Sequence, residues 1–116
     1  MKETECTPGK RLRRNFATHA QLFKALSDEH RLKIFATIAH AGEEVCVCDL
    51  TDAVPLLQPT VSHHLRVLKE VGLILSERRG TWVYYQLAPG AMDLLATTMG
   101  HVAPGIFSTK TLKKAG

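Results

Sequence analysis

The sequence predicts a mainly α-helical domain carrying a small β-hairpin wing, a winged helix-turn-helix. Three observations predict it. Apolar residues recur at three- and four-residue steps through much of the chain. Two runs rich in β-branched, leucine and aromatic residues, LILSER and TWVYYQL, flank Arg79-Gly80 and read as a hairpin. Ahead of that hairpin stand two short helices joined by a tight turn. The 116 residues are the size of one domain.

Taken in order, residues 1–14 are polar and basic and read as a flexible arm. From Ala17 the spacing turns helical through Ala20, Phe23 and Leu26. Ser27 and Asp28 offer a cap for a second helix, whose stripe runs through Leu32, Phe35, Ile38 and Ala39. Gly42 fits just past its end, where a positive φ is needed. Val45 and Val47 alternate with Cys46 and Cys48, which predicts a very short extended segment. Asp49 then caps a short helix, DLTDAV, that Pro55 terminates. In QPTVSHHLRVLKEVG, Pro59 suits the first helical position and Gly72 the exit, with Val61, Leu65 and Leu68 on the buried face. After the hairpin, a last helix begins near Pro89 and runs through Met92, Leu95 and Met99. The domain is thus read as residues 15–99, and residues 100–116 as a loosely ordered tail. So short a last helix needs a partner for its apolar stripe, which predicts a homodimer through the first and last helices.

Composition narrows the function. Hydrophobic residues make up 45% and charged residues 22%, which argues against a long disordered chain. No run approaches the ~20 apolar residues of a membrane span, and no apolar run follows the charged N-terminus as in a secretory signal. A cytoplasmic protein with no membrane partner is expected. The net charge of +4 is compatible with nucleic acid. Its distribution says more: residues 1–33 hold eight basic and four acidic side chains, while residues 43–52 hold Glu43, Glu44, Asp49 and Asp52 and no basic one. No Ser-His-Asp, P-loop or dinucleotide signature gives catalysis a basis.

The helix that opens at QPT has the composition of a groove-reading helix. Such a helix presents its N-terminal residues to base edges. Gln58, Thr60, Ser62 and His63 supply short hydrogen-bonding groups there, and Arg66 and Lys69, further along, are placed for phosphates of double-stranded DNA. Arg78 and Arg79, at the hairpin tip, sit where a wing enters the adjacent minor groove. A solvated polar helix face is the plainer alternative, and the adjoining wing weighs against it. His64, four residues before Leu68, is expected to pack at the helix–helix contact rather than chelate with His63.

The other chemistry lies in the acidic segment. In an extended strand, side chains two apart face one side, so Cys46 and Cys48 form a candidate chelating pair for a soft ion. A disulfide between residues two apart would be strained and labile, which ranks a thiol redox-sensing role below ion binding. The third cysteine, Cys6, lies 40 residues upstream; it either folds over the pair, from its own or the partner subunit, or is an arm thiol with no role.

LFKALSDEHRLKIF, EEVCVCDL, QPTVSHHLRVLKEVGLI and SERRGTWVYYQL together resemble the ArsR/SmtB family of metal-responsive bacterial repressors, over roughly Leu22 to Leu87. The cysteine segment is similar to the ELCVCDL box of its arsenic- and cadmium-sensing branches. The resemblance implies a dimeric repressor that leaves its operator when a thiophilic ion binds. The family's arsenic-type box adds a third cysteine three residues after the second, and here that position is Thr51. Cadmium- and lead-sensing relatives instead join an N-terminal cysteine region to the pair. Three thiolates from Cys46, Cys48 and Cys6 suit As(III) or Sb(III) best, with Cd(II) or Pb(II) next. The family's second site, built from Asp and His on the last helix, is not expected: Asp93 and His101 are too sparse a set.

Overall fold

The computed structural model describes residues 15–105; Cys6 and the rest of the arm lie outside them, as do residues 106–116 of the tail. Helix α1 (Ala17–Leu26) starts where the Asn15 side chain accepts a hydrogen bond from the Ala17 N–H, 2.8 Å away. Asp28 is the N-cap of α2 (Glu29–Ala41), its carboxylate accepting from the Arg31 N–H at 2.9 Å. Gly42 ends that helix at φ +69°. Strand β1 is only Val45–Cys46, and α3 (Val47–Thr51) follows without a break. The groove-reading candidate is α4 (Gln58–Glu70), which carries Pro59 in its first turn. Strands β2 (Ile74–Arg79) and β3 (Trp82–Leu87) form the wing, and α5 (Ala91–Val102) closes the described chain. That helix passes the residue-99 boundary, so Gly100 and His101 are helical.

The sheet is antiparallel with order β1-β3-β2, so the short cysteine strand is an edge of the wing itself. Val45 pairs with Tyr85 and Cys46 with Tyr84. In the hairpin Arg79 pairs with Trp82, which leaves a two-residue loop, Gly80-Thr81. Gly80 has φ +65°, the sign that the first loop residue of a II′ turn requires. The core gathers the inner faces of α2, α3 and α4 over the wing's base: Ile34, Ile38, Leu50, Val61, Leu65 and Leu73 are essentially inaccessible. Fully burying side chains of that size contributes roughly 1.5–3 kcal/mol each.

One guanidinium ties the helix-turn-helix to α1. Arg31, on α2, donates through Nε to the Ala25 carbonyl oxygen and lies with Nη1 2.9 Å from His64 Nδ1. An arginine can only donate, so His64 Nδ1 is the acceptor. Its Nε2 faces the Asp28 carboxylate at 3.8 Å. The reading of His64 as a packed histidine holds, since it is 8% exposed. At the far end, α1 meets α5 where His19 Nε2 and His101 Nδ1 approach to 3.3 Å. Phe23 on α1 and Met92, Leu94 and Val102 on α5 are exposed apolar side chains.

Candidate thiol centre and nucleic-acid interface

The structure corrects the geometry expected of the cysteines. The extended stretch stops at Cys46, and Val47 and Cys48 already belong to α3. Cys46 is the N-cap, in an extended conformation (φ −83°, ψ 154°), and it forms a capping box with Asp49. Its sulfur takes the Asp49 N–H, and the Asp49 carboxylate accepts from the Cys46 N–H at 3.3 Å. Asp49 therefore caps from the third helical position rather than from in front of the helix. The Cys46 side chain, folded back over the first turn, is also the strongest influence on the Cys48 thiol, so the two side chains interact at the start of α3. The two sulfurs converge through a cap, not through strand alternation.

Their environment suits ligation. Cys48 is exposed and Cys46 half-buried, and both are free thiols. The Cys48 thiol is held above its ordinary range, first by the neighbouring Cys46 side chain, then by desolvation and the Asp49 charge, against the pull of the Asp49 N–H. The Cys48 thiol thus holds its proton more firmly than an ordinary thiol, and a soft cation must displace that proton to bind there. Thr51, where the resembled box carries a further cysteine, spends its hydroxyl on the Cys48 carbonyl at 2.8 Å. Among the described residues no group of three or more His, Cys, Asp and Glu is placed to hold a metal ion. Cys6, the one further thiol, lies outside them.

The candidate DNA-reading residues divide. Gln58, Thr60, His63 and Arg66 are exposed on α4 and Ser62 is half-buried, all off the stripe that Val61, Leu65 and Leu68 bury. The His63 and His64 rings are in tilted contact, with centroids 5.8 Å apart, but His63 is exposed and His64 buried. Lys69 reaches back to the wing, its ammonium donating to the Ser76 hydroxyl at 2.8 Å. Arg78 and Arg79 are the last residues of β2 rather than turn residues, so they face opposite sides of the wing. Arg79 donates to Glu44 at 2.5 Å and to Glu77 at 2.9 Å, and lies 4.8 Å from the centre of the Tyr84 ring. Those two carboxylates hold it more firmly protonated than an ordinary arginine. Arg78 faces the other way, toward a cleft that Cys48, Gln58, Ser62 and Trp82 also line. Trp82 and Glu44 were not among the residues singled out from sequence. The signal for Trp82 was the loop length, which sets it opposite Arg79; Glu44 was visible only as one charge of the acidic segment 43–52.

A two-helix reader followed by a two-stranded wing, with a thiol pair where the short strand that edges that wing runs into α3, defines a winged helix-turn-helix regulator. Comparison with known proteins agrees: residues 28–76 match the family described as bacterial regulatory protein, arsR family. The chain belongs to the ArsR family. It is 47% identical over 75 residues to the arsenical resistance operon repressor of Escherichia coli K12, covering 65% of this chain and 63% of that protein. It is 44% identical over 68 residues to a cadmium resistance transcriptional regulatory protein CadC homolog of Staphylococcus aureus, covering 59% of this chain and 55% of that one. The chain thus spans less than two thirds of the length of these relatives. Among solved structures, HlyU from Vibrio cholerae superimposes with a TM-score of 0.62 at 25% identity, over 79% of this chain and 98% of that one. Among the described residues no helix is long and apolar enough to cross a membrane.

Proposed function

We propose that the chain is a cytoplasmic, metal(loid)-responsive transcriptional repressor. It binds double-stranded operator DNA as a homodimer and is released when As(III) or Sb(III) binds Cys46, Cys48 and Cys6. The observation that carries this reading is the position of Cys46. It is at once the edge of the wing sheet, opposite Tyr84, and the cap of the first helix of the reader. An ion gathered there acts on both DNA-contacting elements together. The names of the relatives support the class of ion, and the cadmium-resistance relative keeps Cd(II) or Pb(II) on the same thiols as the second reading. The exposed apolar residues of α1 and α5 support pairing through those helices. Gln58, Thr60, Ser62 and His63, at the start of α4, are assigned to the duplex at base edges or the adjoining phosphates, Arg66, Lys69 and Arg78 to the backbone or the minor groove, and Arg79 to bracing the wing that carries Arg78. The protein turns over no substrate in this reading.

Replacing each thiol by an alcohol tests it. Serine is a strong N-cap, so Cys46→Ser keeps α3 capped while removing a soft ligand, and Cys48→Ser leaves the cap untouched. In a band-shift or anisotropy titration both variants bind duplex DNA like wild type and are no longer released by arsenite. Normal release of either variant would place the inducer elsewhere.

A further inference from the structure

The cleft that Arg78 faces encloses about 390 Å³ between α3, the start of α4 and the wing. Its walls bear on both halves of the function. Gln58 and Ser62 come from the first turns of the reading helix and Arg78 from the wing, and Cys48 opens into the same space. Among the described residues no carboxylate lies within ion-pair distance of Arg78, although its neighbour Arg79 has two. An exposed guanidinium that shares a cleft with an amide and a hydroxyl is a donor set for an oxyanion, and the Val47, Val83 and Trp82 side chains beside it limit competing water. The polyanion that reaches a surface shared by a reading helix and a wing is the sugar-phosphate backbone of duplex DNA.

We propose that this cleft seats a phosphodiester of the bound duplex, and that an ion held by Cys48 occupies the same space. DNA and inducer are then mutually exclusive at one place. This rests on the reading above but replaces a shape change transmitted through the fold with direct competition. The chemistry fits the volume. Arsenite, as As(OH)3, first exchanges two hydroxides for the sulfurs of Cys46 and Cys48, leaving the third hydroxide to be exchanged for Cys6. Two S–As bonds form and two As–O bonds break, and each thiol proton leaves with a hydroxide as water, with no change of oxidation state. The arsenic and its remaining ligand then stand at the mouth of the cleft, where the phosphate would lie.

Competition and transmitted change differ in kinetics. The experiment uses the full-length protein and a labelled duplex selected by it from a random pool. Dissociation of the labelled duplex is followed by stopped-flow after mixing with excess unlabelled duplex and increasing arsenite. Exclusion predicts a dissociation rate independent of arsenite, because the ion enters only after the DNA has left. A second arm follows iodoacetamide alkylation of Cys48 in the Cys6→Ser/Cys46→Ser variant. With duplex at about 100 times its Kd, alkylation slows about 100-fold, to the fraction left free. A dissociation rate that climbs with arsenite, or a Cys48 that alkylates equally fast with and without duplex, overturns the proposal. If arsenite fails to lower the amount of complex at equilibrium, the inducer reading falls instead, and the alkylation arm still decides whether DNA covers the cleft.

Discussion

The two faces of the wing carry adjacent arginines in opposite circumstances. On one face Arg79 is held by Glu44 and Glu77 and lies over Tyr84, so its charge is spent within the molecule. On the other, Arg78 is exposed beside Gln58, Ser62 and Cys48. The alternation of a β-strand does this sorting, because consecutive side chains leave opposite faces. The difference teaches that a basic pair at a hairpin tip is not one electrostatic unit. One member braces the wing against the segment that leads into Cys46, and the other is left for a partner.

This contrast is broken most directly by Arg78→Ala. The variant is expected to weaken duplex binding about tenfold or more, the weight of one charge-assisted hydrogen bond. It should also flatten the dependence of log affinity on log salt by about 0.9 per protomer. Anisotropy titrations at several salt concentrations read both quantities. Arg79→Ala has the smaller effect. Its partners are partly exposed, so thermal or urea unfolding should show only a small loss of stability, and DNA affinity should fall less than for Arg78→Ala. Equal losses of affinity in the two variants would show the faces to be interchangeable.

Most of the fold was legible because its signals are local. Asp28 before α2, Gly42 after it, the Gln-Pro-Thr start of α4 and the glycine of the wing each announce an element within a few residues of themselves. The cysteine corner was legible in content but not in geometry. Val-Cys-Val-Cys alternates like a strand, cysteine is not a favoured cap, and it takes the carboxylate of Asp49 reaching back to start the helix at Val47. The fate of Arg79 was illegible for a different reason. It depends on a partner 35 residues away and on a hairpin register that one loop residue would reverse. Arg31 and His64 likewise meet across 33 residues.

That last contact makes the seating of the reading helix sensitive to acid. The Arg31 guanidinium needs a bare nitrogen on His64, and an imidazolium has none to offer. Burial holds the His64 pKa below its ordinary 6.5; the Asp28 carboxylate opposes this, while Arg31, His63 and His30 reinforce it. Unfolded chains therefore take up the proton first, so the contribution is complete above pH 6.5 and drains away as the medium falls from there toward the folded value. Melting curves between pH 7.5 and 5.5 should show wild type losing stability, and His64→Gln losing less of it over the same interval. Equal losses would mean that some other group carries the proton.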